Sequence, residues 1–276
     1  MPEKDISYKT SDILSLYGLS NKGLFYYEEK GLISPRRTEA GNYRVYSLQE
    51  TARLHECRLY RGFGFSVEES ISLVTHVSPD ELTRSYAERK KAIQYDILWS
   101  QLVMERLELD AEAIRAIEAN TEPWELIPRP AMLRIPLRDV HSPYTQQSEE
   151  SYLQWQDFLP VANASLLYPE PAVEGEELPV NLGFIMDAEI PTRLGIDVPH
   201  GSSFLPPVPC LHTFISGPND RLNLRSRIAP VLARMAKQGL LVGGPPVTRM
   251  IASFDNGSGM QRYDNIWIPV TETGRV

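Results

Sequence analysis

Leu24-Phe25-Tyr26-Tyr27-Glu28-Glu29-Lys30-Gly31-Leu32-Ile33-Ser34-Pro35, followed by Gly41-Asn42-Tyr43-Arg44-Val45-Tyr46, decides how this chain is read. Two adjacent tyrosines close a short helix. Gly31 supplies the left-handed residue that caps its C-terminus, Leu32 and Ile33 return to a core, and Pro35 keeps the chain extended. A loop carrying Arg36, Arg37, Gly41 and Asn42 leads into a short strand, Tyr43 to Tyr46. Upstream, Thr10 to Tyr17 reads as a helix with Ile13, Leu14 and Leu16 as apolar positions and Gly18 as its stop, behind a disordered tail at residues 1–5. Ser20 caps the next helix, Asn21 to Lys30. Helix, turn, helix and basic hairpin in this order describe a winged helix-turn-helix. The first turn of its second helix offers Asn21 and Lys22 to base edges or phosphates.

Working outward, three helix starts share one signature. Ser47-Leu48-Gln49-Glu50, Ser66-Val67-Glu68-Glu69 and Ser78-Pro79-Asp80-Glu81 are capping boxes, the third with Pro at the first helical position. The first opens a helix to about Tyr60, and the second a short helix with Ile71, Leu73 and Val74. The third opens a segment of about forty residues, Pro79 to Asn120, with no Gly and no internal Pro. At ~1.5 Å per residue it would be a rod of ~60 Å. A heptad fits it, with Tyr86, Ile93, Ser100, Leu107 and Ile114 at one seam position and Lys90, Ile97, Met104 and Ala111 at the other. Such a seam is too apolar to stay in water, so it belongs either to a coiled coil or to a core helix.

These residues resemble the MerR family of transcription regulators, including the Gly-Phe-Ser junction at Gly64-Phe65-Ser66. The resemblance implies a DNA-binding domain over residues 1–78, an antiparallel coiled-coil dimerisation helix over 79–122, and an effector-binding domain over 125–276. It implies DNA contacts from Tyr26 and Tyr27, one ring packing in the core while the other hydroxyl reaches a phosphate, with the sequence leaving open which does which. Arg44 matches the arginine of the family's Tyr-Arg wing pair, beside Tyr43, and a guanidinium suits bidentate phosphate contact. Arg36 and Arg37 form the wing's leading edge. The chain departs from the pattern at Phe25, where the family usually has Arg, so the backbone contact expected there is lost.

The chain has 276 residues and a net charge of −8. That charge argues against nucleic acid until its distribution is considered. From Lys22 to Arg61 there are eight basic residues against five acids, a basic head on an acidic body. Two distant cysteines, Cys57 and Cys210, give no disulfide framework, and no signal peptide or spanning apolar run is present, so a soluble, cytoplasmic protein is expected.

After Pro123, Pro128, Pro130 and Pro136 the pattern changes. Ala131 to Leu137 reads as a strand, about Ser148 to Leu159 as a helix, Pro169 to Pro179 as a Pro- and Glu-rich loop, and Val180 to Glu189 as a strand. The order then recurs: strand Pro209 to Ser216, helix Leu222 to Gln238, strand Val247 to Phe254, the Asn256-Gly257 hairpin signal, and strand Tyr263 to Val270. A twofold strand–helix–strand–strand repeat in an α+β fold resembles the gyrase-inhibitor-like effector domain of the family's multidrug-sensing branch.

Candidate ligand residues are Tyr144, Tyr152, Trp155, Phe184, Met186, Phe214, Tyr263 and Trp267, with Met250 beside them, because a sheet lined by aromatics can hold a flat apolar molecule. Drug-binding relatives carry a buried glutamate where this chain aligns Arg249. Asp187 and Glu189 are the acids that pair with Arg249 or replace that carboxylate. If Arg249 is paired, the expected ligand is an aromatic, roughly neutral molecule; if it turns to solvent, those acids are free to attract a cation; and if neither acid replaces the glutamate, the ligand is neutral or anionic. Five scattered histidines and two cysteines show no ligand spacing, so no metal or cofactor is expected. The resemblance implies promoter DNA, RNA polymerase, a second copy of the chain and a small-molecule effector as partners, no membrane, and activation by distorting a pseudo-palindromic promoter. With no phosphate loop, nucleophile elbow or His–carboxylate spacing in the sequence, the chain is not expected to be an enzyme. The rival reading is a hydrolase or scavenging binder in the C-terminal domain, with the DNA head regulating its own gene.

Overall fold

The computed structural model describes residues 6–38, 41–169, 180–219, 224–257 and 259–271. The chain divides into two compact units, Met1–Asp96 and Ile97–Val276, and mixes helix and sheet in both. No described helix is long and apolar enough to cross a membrane. The tail at residues 1–5, nearly all of the Pro- and Glu-rich loop, and the first residues of the helix expected from Leu222 lie outside the described residues.

The first unit begins with β1 (Ser7–Lys9), α1 (Thr10–Tyr17), α2 (Asn21–Glu29), β2 (Arg36–Arg37), β3 (Arg44–Ser47), α3 (Leu48–Gly62) and α4 (Val67–Thr75), and runs into α5 (Pro79–Glu118). Caps explain the boundaries. Gly18 ends α1 in the left-handed conformation at φ 60°, and the Ser20 hydroxyl accepts from Gly23 N at 3.1 Å to start α2. Ser47–Glu50 and Ser66–Glu69 form reciprocal capping boxes, and Ser78 and Glu81 exchange the same pair of bonds. Ile13, Leu24, Tyr27, Leu32, Ile33, Tyr46, Leu54, Cys57 and Ile71 make the core. Each fully buried aliphatic contributes ~1.5–3 kcal/mol. The strands form a three-stranded sheet in the order β1-β3-β2, in which β1 was not anticipated and β3 sits one residue later than the sequence suggests.

The second unit continues with β4 (Glu125–Pro128), β5 (Met132–Asp139), α6 (Gln146–Gln156), β6 (Asn163–Leu167), β7 (Asn181–Asp187), α7 (Ile190–Leu194) and β8 (Ser203–Leu205). It ends with β9 (Pro209–Pro218), α8 (Leu224–Lys237), β10 (Leu241–Val242), β11 (Val247–Asp255) and β12 (Met260–Thr271). The described strands form one large sheet in the order β4-β9-β12-β11-β6-β7-β5-β8, with β10 on β12. Strand β4 is one edge of the sheet, where its Pro128 costs no ladder hydrogen bond. Glu189, expected in β7, instead starts α7, because Pro191 begins a helical turn there.

Residues directly opposite in neighbouring strands share a face. The register therefore sorts the sheet. His212 faces Trp267, Trp267 faces Val247, and Arg249 faces Asn265. Val247 faces Leu167, Leu167 faces Asn181, Ile185 faces Arg134, and Asp187 faces Met132. All of these lie on one face. The other face is covered by α6 and α8. Leu133, Ile135, Phe184 and Met186 pack there with Trp155, and Leu211, Ile215, Ile266 and Ile268 pack there with Ile228 and Met235.

Helix α5 carries two stripes. Leu102, Arg106, Ala113 and Ile117 are buried, the last two against Ile251 and Tyr263 of the second unit. The heptad positions Tyr86, Ile93, Ile97, Met104 and Leu107 are exposed in the single chain. The C-terminal half is thus a core helix, in which the seam residue Ile114 also packs, while the seam from Ile93 to Leu107 presents exposed Ile93, Ile97, Met104 and Leu107.

Candidate nucleic-acid interface and sheet-face site

In the first unit, helical spacing separates α2 into two sides. Leu24 and Tyr27 are buried, and Asn21, Lys22 and Phe25 are exposed, Phe25 at 54%. The tyrosine pair resolves accordingly. Tyr27 packs in the core, and Tyr26 is half-buried with its hydroxyl donating to Glu68 at 3.4 Å and Lys30 5.5 Å from its ring centre. In the wing, Arg36 lies opposite Val45 and Arg37 opposite Arg44. Arg36, Arg37 and Tyr43 are exposed, Tyr43 at 73%. Gly41 sits at φ 144° with the Tyr43 ring so close that a Cβ would stand 2.5 Å from it, so the wing needs glycine there. Arg44 is not free: its guanidinium lies 3.2 Å from Glu28, which also accepts from the Tyr46 hydroxyl at 2.6 Å. Burial, and then the Glu28 contact, push the Tyr46 phenol up to about 12.

In the second unit, the candidate ligand residues do not form one site, and Met250, opposite Asp264 in register, lies on the side of the sheet away from Arg249. Trp155 stacks on Phe184 at 6.4 Å, with Met186 in the same core, and Tyr152 and Tyr144 continue that aromatic chain. These five belong to the α6 side of the sheet. Asp187, Phe214, Arg249, Tyr263 and Trp267 belong to the opposite face. Glu189 joins neither group and pairs with Arg193 at 3.1 Å. The pairing left open between two acids falls on Asp187, whose carboxylate oxygens accept from Arg249 Nη1 at 3.2 Å each.

That face holds more than the sequence indicated. Trp267 stacks with His212 at 5.3 Å, His212 meets Phe214 edge-on at 5.5 Å, and the Arg249 guanidinium lies 5.6 Å over Trp267. Arg106, from α5, donates Nε to Asp110 at 2.7 Å and Nη2 to the Met250 carbonyl, which also accepts from Asn163 at 2.9 Å. Burial, then the Arg249 charge, push the Arg106 pKa down. Burial likewise lowers His212, leaving a neutral imidazole at neutral pH. Arg134 lies flat across Gly183 and donates to Ser165 and Asn181, and burial lowers it to about 10. Arg106 was legible in principle, as the polar member of the α5 stripe Leu102, Arg106, Ala113, Ile117. His212 shares the alternation of Phe214. Among the described residues no group of three His, Cys, Asp or Glu could hold a metal, and Cys57 and Cys210 are both buried and free.

The profile described as MerR HTH family regulatory protein matches residues 8–76. Residues 8–76 are a MerR-family helix-turn-helix domain. The HTH-type transcriptional regulator CueR of Escherichia coli O157:H7 is 41% identical over 64 residues, 23% of this chain and 47% of that protein. The mercuric resistance operon regulatory protein of Bacillus cereus is 35% identical over 77 residues, 28% of this chain and 58% of that protein. The chain thus spans about half the length of the curated relatives it matches. A cryo-EM structure of an EcmrR–DNA complex aligns over 96% of this chain and 100% of that one, at 16% identity and a TM-score of 0.35. The MerR-family match covers α1 to α4 and the wing, so Asn21, Lys22, Tyr26, Tyr27, Arg36, Arg37, Tyr43 and Arg44 all fall inside it. The sheet face lies outside it.

Proposed function

We propose that the protein is a dimeric, ligand-responsive transcription regulator rather than an enzyme. The observation that carries this reading is the MerR-family domain itself, with Asn21, Lys22, Arg36 and Arg37 exposed on its second helix and wing. Cations in those places neutralise phosphates and fix register, while the first turn of α2 reads base edges. Tyr26 is the tyrosine that reaches a phosphate, since Tyr27 is spent in the core. The uncovered seam of α5 supports an antiparallel coiled-coil dimer, and a dimer matches a pseudo-palindromic promoter. Residues 125–276 are read as an effector domain with a twofold strand–helix–strand–strand repeat, to which the strand order around β11 and β6 lends support. Its ligand face is the one bearing Arg249, Trp267, Phe214, Tyr263 and Asp187. Ligand binding there alters promoter distortion and so initiation by RNA polymerase, a deformation whose energy extra contacts offset.

The test is selection of duplexes from a random library with the full chain. Enrichment of a site with twofold symmetry is expected. Recovery of no common sequence, with retention that vanishes uniformly as salt rises, would leave only non-specific binding and refute the reading.

A further inference from the structure

The face bearing Trp267 offers its ligand hydrogen-bond donors. Arg106 Nη1 and Arg249 Nε are buried and have no hydrogen-bond partner, and Arg106 as a whole is only 6% exposed. On the same face Arg134 finds acceptors on Ser165 and Asn181 for all three nitrogens, whereas behind the sheet Arg227, held by Asp264, also keeps unpartnered Nε and Nη1. Arg106, paired with Asp110, and Arg249, paired with Asp187, each keep one further donor without an acceptor, and the two guanidinium charges act on one another. A buried N–H without an acceptor is unfavourable, more so when charged, and an incoming anion would supply the missing acceptor to both. The place a cationic ligand would take over Trp267 is already held by the protein's own Arg249, 5.6 Å away. His212 and Phe214 extend the ring wall beside it.

We propose that this face takes an aromatic anion, a carboxylate or phenolate on a flat ring, with its oxygens between Arg106 Nη1 and Arg249 Nε and its ring against the wall of Trp267, His212 and Phe214. The proposal rests on reading this face as the effector site and adds the charge class, which differs from the neutral ligand expected from the Arg249–Asp187 pair alone.

Calorimetric titration of the full chain with 2-naphthoate, 2-naphthamide and 2-naphthylmethylammonium tests it, with the Trp267 indole N–H resonance reporting the place of binding. The acid should bind at least tenfold more tightly than either analogue and shift the Trp267 resonance. Arg249→Gln should reduce that advantage to about threefold or less, with an unfolding midpoint matching wild type showing that the fold is intact. Arg249→Lys, which keeps the charge and loses the Nε donor, should fall between. Equal or tighter binding of the amide or the cation, with Trp267 shifting, would overturn the charge assignment and leave the effector site standing. Binding that leaves Trp267 unmoved, or no binding of any of the three at millimolar concentration, would overturn both.

Discussion

The two units handle positive charge in opposite ways. In the MerR-family domain Lys22, Arg36 and Arg37 are exposed to water, where each alone is worth little and screening is strong. In the sheet unit Arg106, Arg134, Arg227 and Arg262 are all buried. Exposed cations suit a partner that brings a dense array of phosphates. Buried ones suit either a permanent internal partner or one small ligand, because desolvation magnifies every contact. The sheet uses both options on its two faces. Behind it, Asp264, fully buried, binds Arg262 at 2.7 Å and Arg227 at 2.5 Å. In front, Arg249 meets an Asp187 whose side chain is 38% exposed.

The largest expected effect breaks the triad. Asp264→Asn leaves two buried guanidinium groups without a carboxylate and should lower folding stability by about 3–5 kcal/mol in urea unfolding. Asp187→Asn, on the solvated side, should cost no more than about 1 kcal/mol. Burial alone would raise the Asp264 carboxyl, but Arg262 and Arg227 outweigh it and hold the group below its usual value. A folded pKa below the unfolded one contributes stability above the unfolded value of about 3.9, lost as pH falls through the folded one. The gap between wild type and Asp264→Asn should therefore be flat from pH 7 to 5 and close only in acid below about pH 4. Equal losses for the two aspartates would erase the distinction between the faces.

A smaller effect is expected at the seam of α5. Ile97 and Met104 are 55% and 56% exposed in the single chain, whereas the neighbouring stripe of Leu102, Ala113 and Ile117 is buried. Ile97→Asp with Met104→Asp should weaken dimerisation at least a hundredfold, about 2.7 kcal/mol, and leave monomer folding nearly unchanged. Analytical ultracentrifugation of wild type as a stable monomer at micromolar concentration would rule out the coiled coil.

The contrast also explains what the sequence could disclose. In the first unit local rules suffice: Ser20, Ser47 and Ser66 cap helices, Gly18 and Gly31 end them, and Gly41 shapes the wing, each through its immediate neighbours. In the second, a site is assembled from strands far apart in the chain, and only register says which face each shares. Strand alternation alone carries part of the answer. Met186 and Asp187 are adjacent in one strand and must point to opposite faces, so they never could line one pocket. Glu189 would have shared the face of Asp187 had β7 continued, but the chain leaves the strand at Ala188. Arg106 comes from a helix whose heptad pattern drew attention to its other side.

The smallest effect concerns two wing arginines that the sequence treats alike. Arg37 donates one bond to the Asn42 carbonyl and is otherwise open to a phosphate, while Arg44 is already held 3.2 Å from Glu28. A cation that neutralises a phosphate releases about one counterion, so Arg37→Ala should reduce the slope of log affinity against log salt by about one. Arg44 shares its charge with Glu28, so Arg44→Ala should change the slope by less than half as much. Glu28→Gln should release Arg44 to the DNA and steepen the slope, and adding Arg44→Ala to that variant should then cost a full unit. Fluorescence anisotropy of operator and random duplexes over a range of salt concentrations measures wild type and the four variants. If Arg44→Ala in the wild-type background matches Arg37→Ala, the Glu28 pair opens on DNA and the wing carries two equivalent phosphate contacts.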